Sequence, residues 1–150
     1  MTELEKEFAA LPEVATYRSF EDLRALADQT LDCKEKMIYY LGGVDNLVDV
    51  FSEEYERDFY IPTRLERGIG LKLIIPDSEM LEAYQETDAQ QKRETRMLKP
   101  EMMMDSSFMI HDDIVVFFGE PDDHYAIEVK SSSLARALKI MFNNAWNHTE

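Results

Sequence analysis

Two short apolar runs, separated by a segment with helical periodicity, constrain the fold of this chain more than any other feature. Met37–Leu41 stops at two glycines and Leu71–Ile75 stops at a proline, and runs of this length with such terminators favour buried strands. Between them, apolar residues recur at steps of three and four from Val44 to Phe59, which predicts an amphipathic helix. A strand, a crossover helix and a second strand predict a parallel pair with a right-handed connection.

The rest of the chain adds further predicted elements to this unit. Predicted strands are Val14–Tyr17, Ser106–Ile110, Ile114–Phe118 and Tyr125–Val129. A helix is predicted after an N-cap at Ser19, another after N-cap candidates Ser131, Ser132 and Ser133, and a short one around Met80–Tyr84. We therefore expect an α/β fold with a central mixed sheet flanked by helices. No repeat and no low-complexity linker divides the sequence. Residues 11–150 are predicted to form one domain, and residues 1–10 a tail or the remnant of a linker helix.

The charge of the chain limits its partners. Among 150 residues, 31 are Asp or Glu and 16 are Lys or Arg, which gives a formal net charge of −15 at pH 7. A surface this acidic repels phosphates, so we expect no direct nucleic-acid binding by this chain. No apolar stretch approaches the roughly 20 residues of a membrane span. The acidic N-terminus differs from a signal peptide, and one cysteine permits no internal disulfide. These features predict a soluble, cytoplasmic protein without a membrane partner.

Patterns that carry catalysis or bind metals are weak in this sequence. The three histidines lie apart from one another and from Cys33, so no metal-ligand spacing is present. His111-Asp112-Asp113 would suit a hard cation or acid/base chemistry, but a solvated hairpin turn is the simpler interpretation. Cys33 follows an aspartate, which opposes formation of a thiolate. We therefore predict no catalytic residue, no metal site and no cofactor.

Two features are candidates for binding a ligand. Gly42 and Gly43 follow a predicted strand and precede a helix, so their amides would lie at the edge of a parallel sheet, where ligands commonly bind. A plain strand-to-helix turn is the alternative, since the lysine and spacing of a P-loop are missing. Arg93 and Arg96 lie in the one local cationic stretch, Lys92–Lys99, and guanidinium groups match carboxylate and phosphate oxygens. Neutralisation of neighbouring acidic residues is the alternative for both arginines.

An ordered set of segments resembles the C-terminal effector domain of TrmB-like transcription regulators. The segments are Pro12–Tyr17, Phe20–Leu31, the strand from Met37, Arg64–Pro76, Arg93–Leu98, Phe108–Phe118, Tyr125–Val129, Ser131–Ala135 and Phe142–Trp146. The resemblance implies a fold like that of phospholipase D. It also implies a non-catalytic domain of a transcription regulator that dimerises and senses a sugar or anionic effector. The DNA-binding part of such a regulator would lie outside this chain.

The phospholipase D enzymes use the motif HxKxxxxD, in which the histidine acts as nucleophile or acid. Placing Asp112 on the aspartate of the motif puts Asp105 at the histidine position and Ser107 at the lysine position. Shifting the register by one residue puts Ser106 and Phe108 there instead. Neither register retains the nucleophile or the phosphate-binding lysine. We expect no phosphodiester hydrolysis by this chemistry, because an aspartate would repel the phosphate.

The resemblance and the residues together suggest a ligand site at the strand ends. Its candidate residues are Gly42, Gly43, Arg93 and Arg96, with the arginines recognising an anion or sugar hydroxyls. Two alternatives stay open at this point. One is a hydrolase with a rebuilt, metal-dependent site at residues 111–113. The other is a purely structural domain that interacts with other proteins.

Overall fold

The computed structural model describes residues 2–4, 11–120 and 122–149, so most of the tail predicted over residues 1–10 lies outside the described part. Seven strands of the described chain form one mixed sheet. They are β1 (Glu13–Tyr17), β2 (Met37–Gly42), β3 (Gly70–Ile75), β4 (Arg93–Met97), β5 (Ser107–His111), β6 (Ile114–Phe118) and β7 (Ala126–Lys130). Their order is β1-β7-β6-β5-β2-β3-β4, with β2, β3 and β4 parallel and all other neighbours antiparallel. The predicted α/β class with a central mixed sheet is confirmed.

Helices flank this sheet on both sides. They are α1 (Phe20–Gln29), α2 (Asp45–Val50), α3 (Glu53–Tyr55), α4 (Ile61–Glu66), α5 (Glu79–Thr87) and α6 (Ser132–Asn147). A π-helical turn, Glu56–Tyr60, joins α3 to α4, so residues 53–66 form one continuous helix, the 53–66 helix. Within the described residues, no helix is long and apolar enough to cross a membrane.

The two faces of the sheet are covered differently. Since side chains alternate along a strand, each strand contributes to both faces. The inner face, which carries Ile38, Tyr40, Leu73 and Met109, packs against α1, α2 and α5. The outer face packs against the single long helix α6, whose Phe142 is fully buried. The core is therefore two layers of apolar contacts separated by the sheet.

Serine side chains cap the first turns of α1, α5 and α6. Ser19, Ser78 and Ser131 each accept a hydrogen bond from the backbone amide three residues further on. Such a bond satisfies one of the amides that has no partner within the first helical turn. The predicted cap at Ser19 is confirmed, and of the three candidates for the last helix Ser131 is the cap.

The single helix predicted over Val44–Phe59 is two helices in the structure. α2 ends at Val50, and the Ser52 hydroxyl accepts a hydrogen bond from the Tyr55 amide, which begins the 53–66 helix. This helix then continues to Glu66. Apolar periodicity persists across the break because α2 and the 53–66 helix both turn apolar residues towards the inner face. The pattern therefore conceals the cap at Ser52.

β4 is a strand that the sequence pattern does not predict. It lies at the edge of the sheet and pairs with β3 alone. Its side chains alternate between buried Arg93 and Thr95 and exposed Glu94. Because a buried arginine replaces the expected apolar residue, the period of two is invisible to a hydrophobicity pattern.

Candidate functional site

The positions that a phospholipase D motif would occupy lie at the start of β5. Asp105, at the histidine position, is exposed in the loop before the strand. Ser107, at the lysine position, is buried and pairs with Gly42 of β2. Neither side chain carries an imidazole or an ammonium group. The chain thus has a carboxylate and a hydroxyl at the two predicted positions, and loss of the catalytic motif stays a prediction.

Asp112, at the aspartate position of the motif, has a structural role. Its carboxylate accepts hydrogen bonds from the backbone amides of Lys34 at 3.0 Å and Glu35 at 2.9 Å. Partial burial acts to raise the pKa of Asp112, but the amide hydrogen bonds lower it overall. The ionised carboxylate fixes the loop after α1 to the turn between β5 and β6.

The interpretation of residues 111–113 as a solvated turn is wrong for His111. This residue ends β5, is only 2% exposed, and lies on the inner face between Ile38 and Ile114. Burial lowers its pKa, which favours the neutral imidazole. No group of three or more His, Cys, Asp or Glu side chains among the described residues is placed to hold a metal ion. The rebuilt metal site therefore has no support at this turn.

The two glycines at the end of β2 lie against another segment of the chain. A Cβ on Gly42 would lie 2.5 Å from the Ser106 carbonyl oxygen, and one on Gly43 would lie 2.6 Å from the Asp105 carbonyl oxygen. The Gly43 amide donates to the Ser106 carbonyl at 3.2 Å. The missing side chains thus allow two backbone segments to approach closely, and protein atoms occupy the space predicted for a ligand. Ligand binding by either glycine stays a prediction.

Arg93 and Arg96 lie on opposite faces of β4. Arg93 points to the inner face, where its Nε donates to the Asp88 carboxylate at 2.7 Å. Arg96 lies on the outer face, where its guanidinium stacks 4.0 Å from the centre of the Trp146 ring and donates to the Trp146 carbonyl. A spacing of three residues in a strand separates side chains in this way. The four predicted ligand residues therefore do not meet at one point.

The structure brings together a different set of residues in a cavity on the inner face. The cavity has a volume of about 40 Å³ and lies between the 53–66 helix, α5 and strands β2 to β5. Its walls are mainly apolar side chains of the sheet. The polar residues that line it are Tyr40, Glu56, Tyr60, Arg64, Tyr84 and Arg93. Of the predicted ligand residues, only Arg93 lines this cavity.

Arg64 is a buried cation that forms no direct salt bridge in the described part of the chain, and the Glu56 carboxylate is its anionic neighbour. It is 1% exposed. Its Nη atoms donate to backbone carbonyls, Nη1 to Ile69 at 2.8 Å and Nη2 to Gln91 at 2.6 Å. Its Nε–H is buried and has no acceptor. Burial lowers the pKa of Arg64, and the charge of Arg93 acts in the same direction, yet a guanidinium remains protonated in proteins.

The other charged groups at the cavity are held by neighbours. Arg93 donates to Asp88, to the Gln91 side chain at 2.6 Å and to the Thr87 hydroxyl at 2.8 Å. The Tyr84 hydroxyl donates to the Glu56 carboxylate at 3.1 Å. Burial raises the pKa of Glu56. Among the described residues that line the cavity, the buried side-chain nitrogen without a hydrogen-bond partner is Nε of Arg64.

Sequence reasoning missed Glu56, Arg64 and Tyr84 as members of a site. A signal was nevertheless present, because Glu56, Tyr60 and Arg64 recur every four residues along one side of a helix. Two charged residues in such a stripe mark a helix whose buried side is not purely apolar.

Comparisons with known proteins bear on the fold. No protein-family model matches the sequence, and no curated protein matches it. Similar solved structures include that of TrmBL2, an archaeal chromatin protein, with 17% identity and a TM-score of 0.67 over 91% of this chain. The match spans 52% of the TrmBL2 chain, so the present chain corresponds to about half of that protein.

Two further structures are similar along nearly their whole length. NucT from Helicobacter pylori has 11% identity and a TM-score of 0.68, covering 93% of this chain and 98% of its own. Nuc from Salmonella typhimurium, a phospholipase D family member, has 17% identity and a TM-score of 0.67, covering 93% and 97%. Identities this low establish the fold and nothing finer. The chain has the phospholipase D fold in the form also found in TrmBL2, so the resemblance seen in the sequence is confirmed at the level of the fold.

Proposed function

We propose that this chain is a non-catalytic, ligand-sensing domain of a TrmB-like transcription regulator. The observation that carries the proposal is the cavity on the inner face, which is lined by the buried guanidinium of Arg64. A buried guanidinium costs free energy, since the interior solvates charge poorly. A bound ligand that accepts a hydrogen bond from it offsets that cost and stabilises the folded state.

The residues at the predicted positions of the phospholipase D motif support a non-catalytic role. The enzymes of this fold need an imidazole and an ammonium group where this chain has Asp105 and Ser107. The two side chains also lie in different environments, since Ser107 is buried and Asp105 is exposed to solvent. A carboxylate at the histidine position opposes the approach of a phosphodiester.

The role in transcription is supported by the fold shared with TrmBL2, which is described as a chromatin protein with a novel mode of DNA binding. This chain corresponds to about half of TrmBL2 and carries a net charge of −15. In our proposal another part of the regulator contacts DNA, and this domain binds the effector. The proposal also includes a homodimer, for which light scattering should give twice the 17.5 kDa mass of one chain. A mass of 17.5 kDa would contradict the dimer.

Thermal unfolding of the purified chain tests the sensing role. The compounds are sugars, phosphorylated metabolites, nucleotides, short carboxylates and divalent cations. A ligand that binds only the folded state, at about 100 times its dissociation constant, should add roughly 2.7 kcal/mol, or a shift of several degrees. Absence of any shift would favour a purely structural domain. Divalent-metal-dependent hydrolysis of bis(p-nitrophenyl) phosphate, lost in His111→Ala, would instead support the hydrolase alternative at residues 111–113.

A further inference from the structure

We infer that α6 is the contact between two copies of this chain, with the solvent-facing side of one α6 packed antiparallel against that of the other. The inference rests on the homodimer included in the proposed function and names the surface that forms it. Three features support it: an apolar stripe on the exposed side of α6, the lack of carboxylates in this helix, and polar groups placed to pair between two identical copies.

The exposed side of α6 is largely apolar. The buried side of the helix, with Phe142 and Trp146, packs on the sheet. The residues that recur at helical spacing on the exposed side are Leu134, Ala137, Ile140, Met141 and Asn144. Ile140 and Met141 are each 64% exposed, and Leu134 is 47% exposed. Apolar residues on both sides are typical of a helix that is covered on both sides, and the described chain covers only one of them.

The apolar stripe continues onto the loop before β5. Met102 lines a groove together with Ile140 and Met141, and the adjacent Met103 is 59% exposed. Methionine side chains are flexible and adapt to the shape of a partner. The stripe of α6 and these two methionines therefore form one exposed surface, the α6 surface.

Charge indicates that a second copy suits this surface. Each chain carries a net charge of −15, so two copies repel each other wherever their carboxylates come close. α6 contains neither Asp nor Glu, although 31 of the 150 residues are acidic. Its two cations are Arg136 and Lys139, and Lys139 is paired with Glu35 at 2.7 Å. Two copies therefore meet at α6 with little repulsion, whereas a basic partner would be drawn to the carboxylates elsewhere on the chain.

The outer face of the sheet beyond α6 is uncharged as well. The side chains that β1, β6 and β7 place on this face are Val14, Thr16, Val115, Phe117, Ile127 and Val129. Val14 is 63% exposed and Phe117 is 37% exposed. A stable interface takes roughly 20–30 residues from each partner, which is more than one helix offers. The neighbouring strands extend the carboxylate-free area towards that size.

An antiparallel arrangement pairs polar groups across the contact. A two-fold axis that passes Ile140 sets Arg136, four residues before it, opposite Asn144 of the second copy, four residues after it. Arg136 is exposed and makes no hydrogen bond or ion pair with the described part of its own chain. Its guanidinium donates hydrogen bonds, and the carboxamide oxygen of Asn144 accepts them. The symmetry repeats this pairing at the other end of the contact.

Charge variants at Ile140 test the inference. Ile140→Glu and Ile140→Lys each place like charges opposite each other in the inferred dimer, so each variant alone should have a dissociation constant raised at least about tenfold. Light scattering over a dilution series measures this constant. An equimolar mixture of the two variants should regain the dimer, because opposite charges then face each other. Ala83→Glu and Ala83→Lys, at an exposed position of α5, change the net charge equally and should keep the wild-type constant.

Methionine methyl NMR of the full chain shows the contact and the folding of the variants in the same samples. The protein is labelled with ¹³C at the methionine methyl groups, and the signals are assigned with Met→Leu variants. On dilution the Met102 and Met141 signals should move, whereas the signal of Met109, which lines the inner-face cavity, should not. An unchanged Met109 signal in Ile140→Glu establishes that this variant is folded.

The possible results separate the contact surface from the dimer itself. A wild-type mass of 17.5 kDa at every concentration would overturn both the proposed homodimer and this inference. A dimer that persists in folded Ile140→Glu, or a mixture of the two variants that stays monomeric, would overturn α6 as the contact and leave the homodimer standing. Ligand sensing is measured separately by thermal unfolding and depends on none of these results.

Discussion

The two faces of the sheet use the same strands for different purposes. Among the described helices, α6 is the one that covers the outer face, and its contacts are aromatic: Phe142 packs edge-on against Tyr39 and stacks with Trp146. The inner face is covered by several short helices, and it encloses charged groups and a cavity. Apolar packing stabilises a fold at low cost, whereas buried charges specify a site. Both faces contribute apolar burial, and the inner face holds the larger buried cluster; what distinguishes the inner face is its buried charge, and in our proposal it is the binding side.

The largest expected effect tests the outer face. Phe142→Ala removes a fully buried ring between the sheet and α6 and should lower the free energy of unfolding by about 3–5 kcal/mol. Urea denaturation measures this loss. Asn143→Ala, at the next position, which is exposed, should stay within about 0.5 kcal/mol. Similar losses for both variants would contradict the role assigned to α6.

A smaller loss is expected from the charged network on the inner face. Asp88 accepts hydrogen bonds from Arg93 at 2.7 Å and from the amide and hydroxyl of Thr95 at 2.8 and 2.9 Å. Asp88→Asn leaves the buried guanidinium without a carboxylate, and we expect a loss of about 2 kcal/mol. Asp77→Asn, an exposed position before α5, provides the control. An unchanged urea midpoint for Asp88→Asn would show that the network adds nothing to stability.

The variant Gly43→Ala distinguishes a structural role of the glycines at the end of β2 from a role in ligand binding. Its missing side chain admits the Asp105 carbonyl, so Gly43→Ala should cost about 1–3 kcal/mol through overpacking. Binding to the inner-face cavity, monitored at Met109, should stay unchanged after the loss of stability is taken into account. Ser106→Ala, at an exposed side chain of the facing segment, should be neutral. Loss of ligand binding in Gly43→Ala without loss of stability would return the site to the strand ends.

Most of the fold follows from local signals, whereas the cavity does not. Apolar runs, glycine and proline terminators and serine caps are short-range features, and they predict β2, β3 and α6 within a few residues. Arg93 is held by groups within nine residues of it, but its burial follows only when β4 pairs with β3. Arg64 is held by backbone carbonyls that no side-chain pattern records. His111 shows the same limit. Its position beside two aspartates predicts a solvated side chain, whereas the pairing of β5 with β2 places it on the inner face. A charged residue is assigned to the surface by composition, and only the tertiary arrangement reverses that assignment.

The smallest expected effect concerns the pH dependence of stability, which compares Glu56 on the inner face with carboxylates in solvent. Burial raises the pKa of Glu56 in the folded chain above the ordinary value that it has in the unfolded chain. The folded state therefore holds the proton more tightly. The corresponding stability is present below the ordinary pKa and is lost as the pH rises through the raised value.

Urea midpoints of the wild type should fall across this window relative to those of Glu56→Gln, in which the titrating group is absent. Glu54→Gln, an exposed substitution in the same helix, should follow the wild type. Parallel curves for all three proteins would mean that Glu56 is solvated like a surface carboxylate, and the contrast between the two faces would then rest on Arg64 and Arg93 alone.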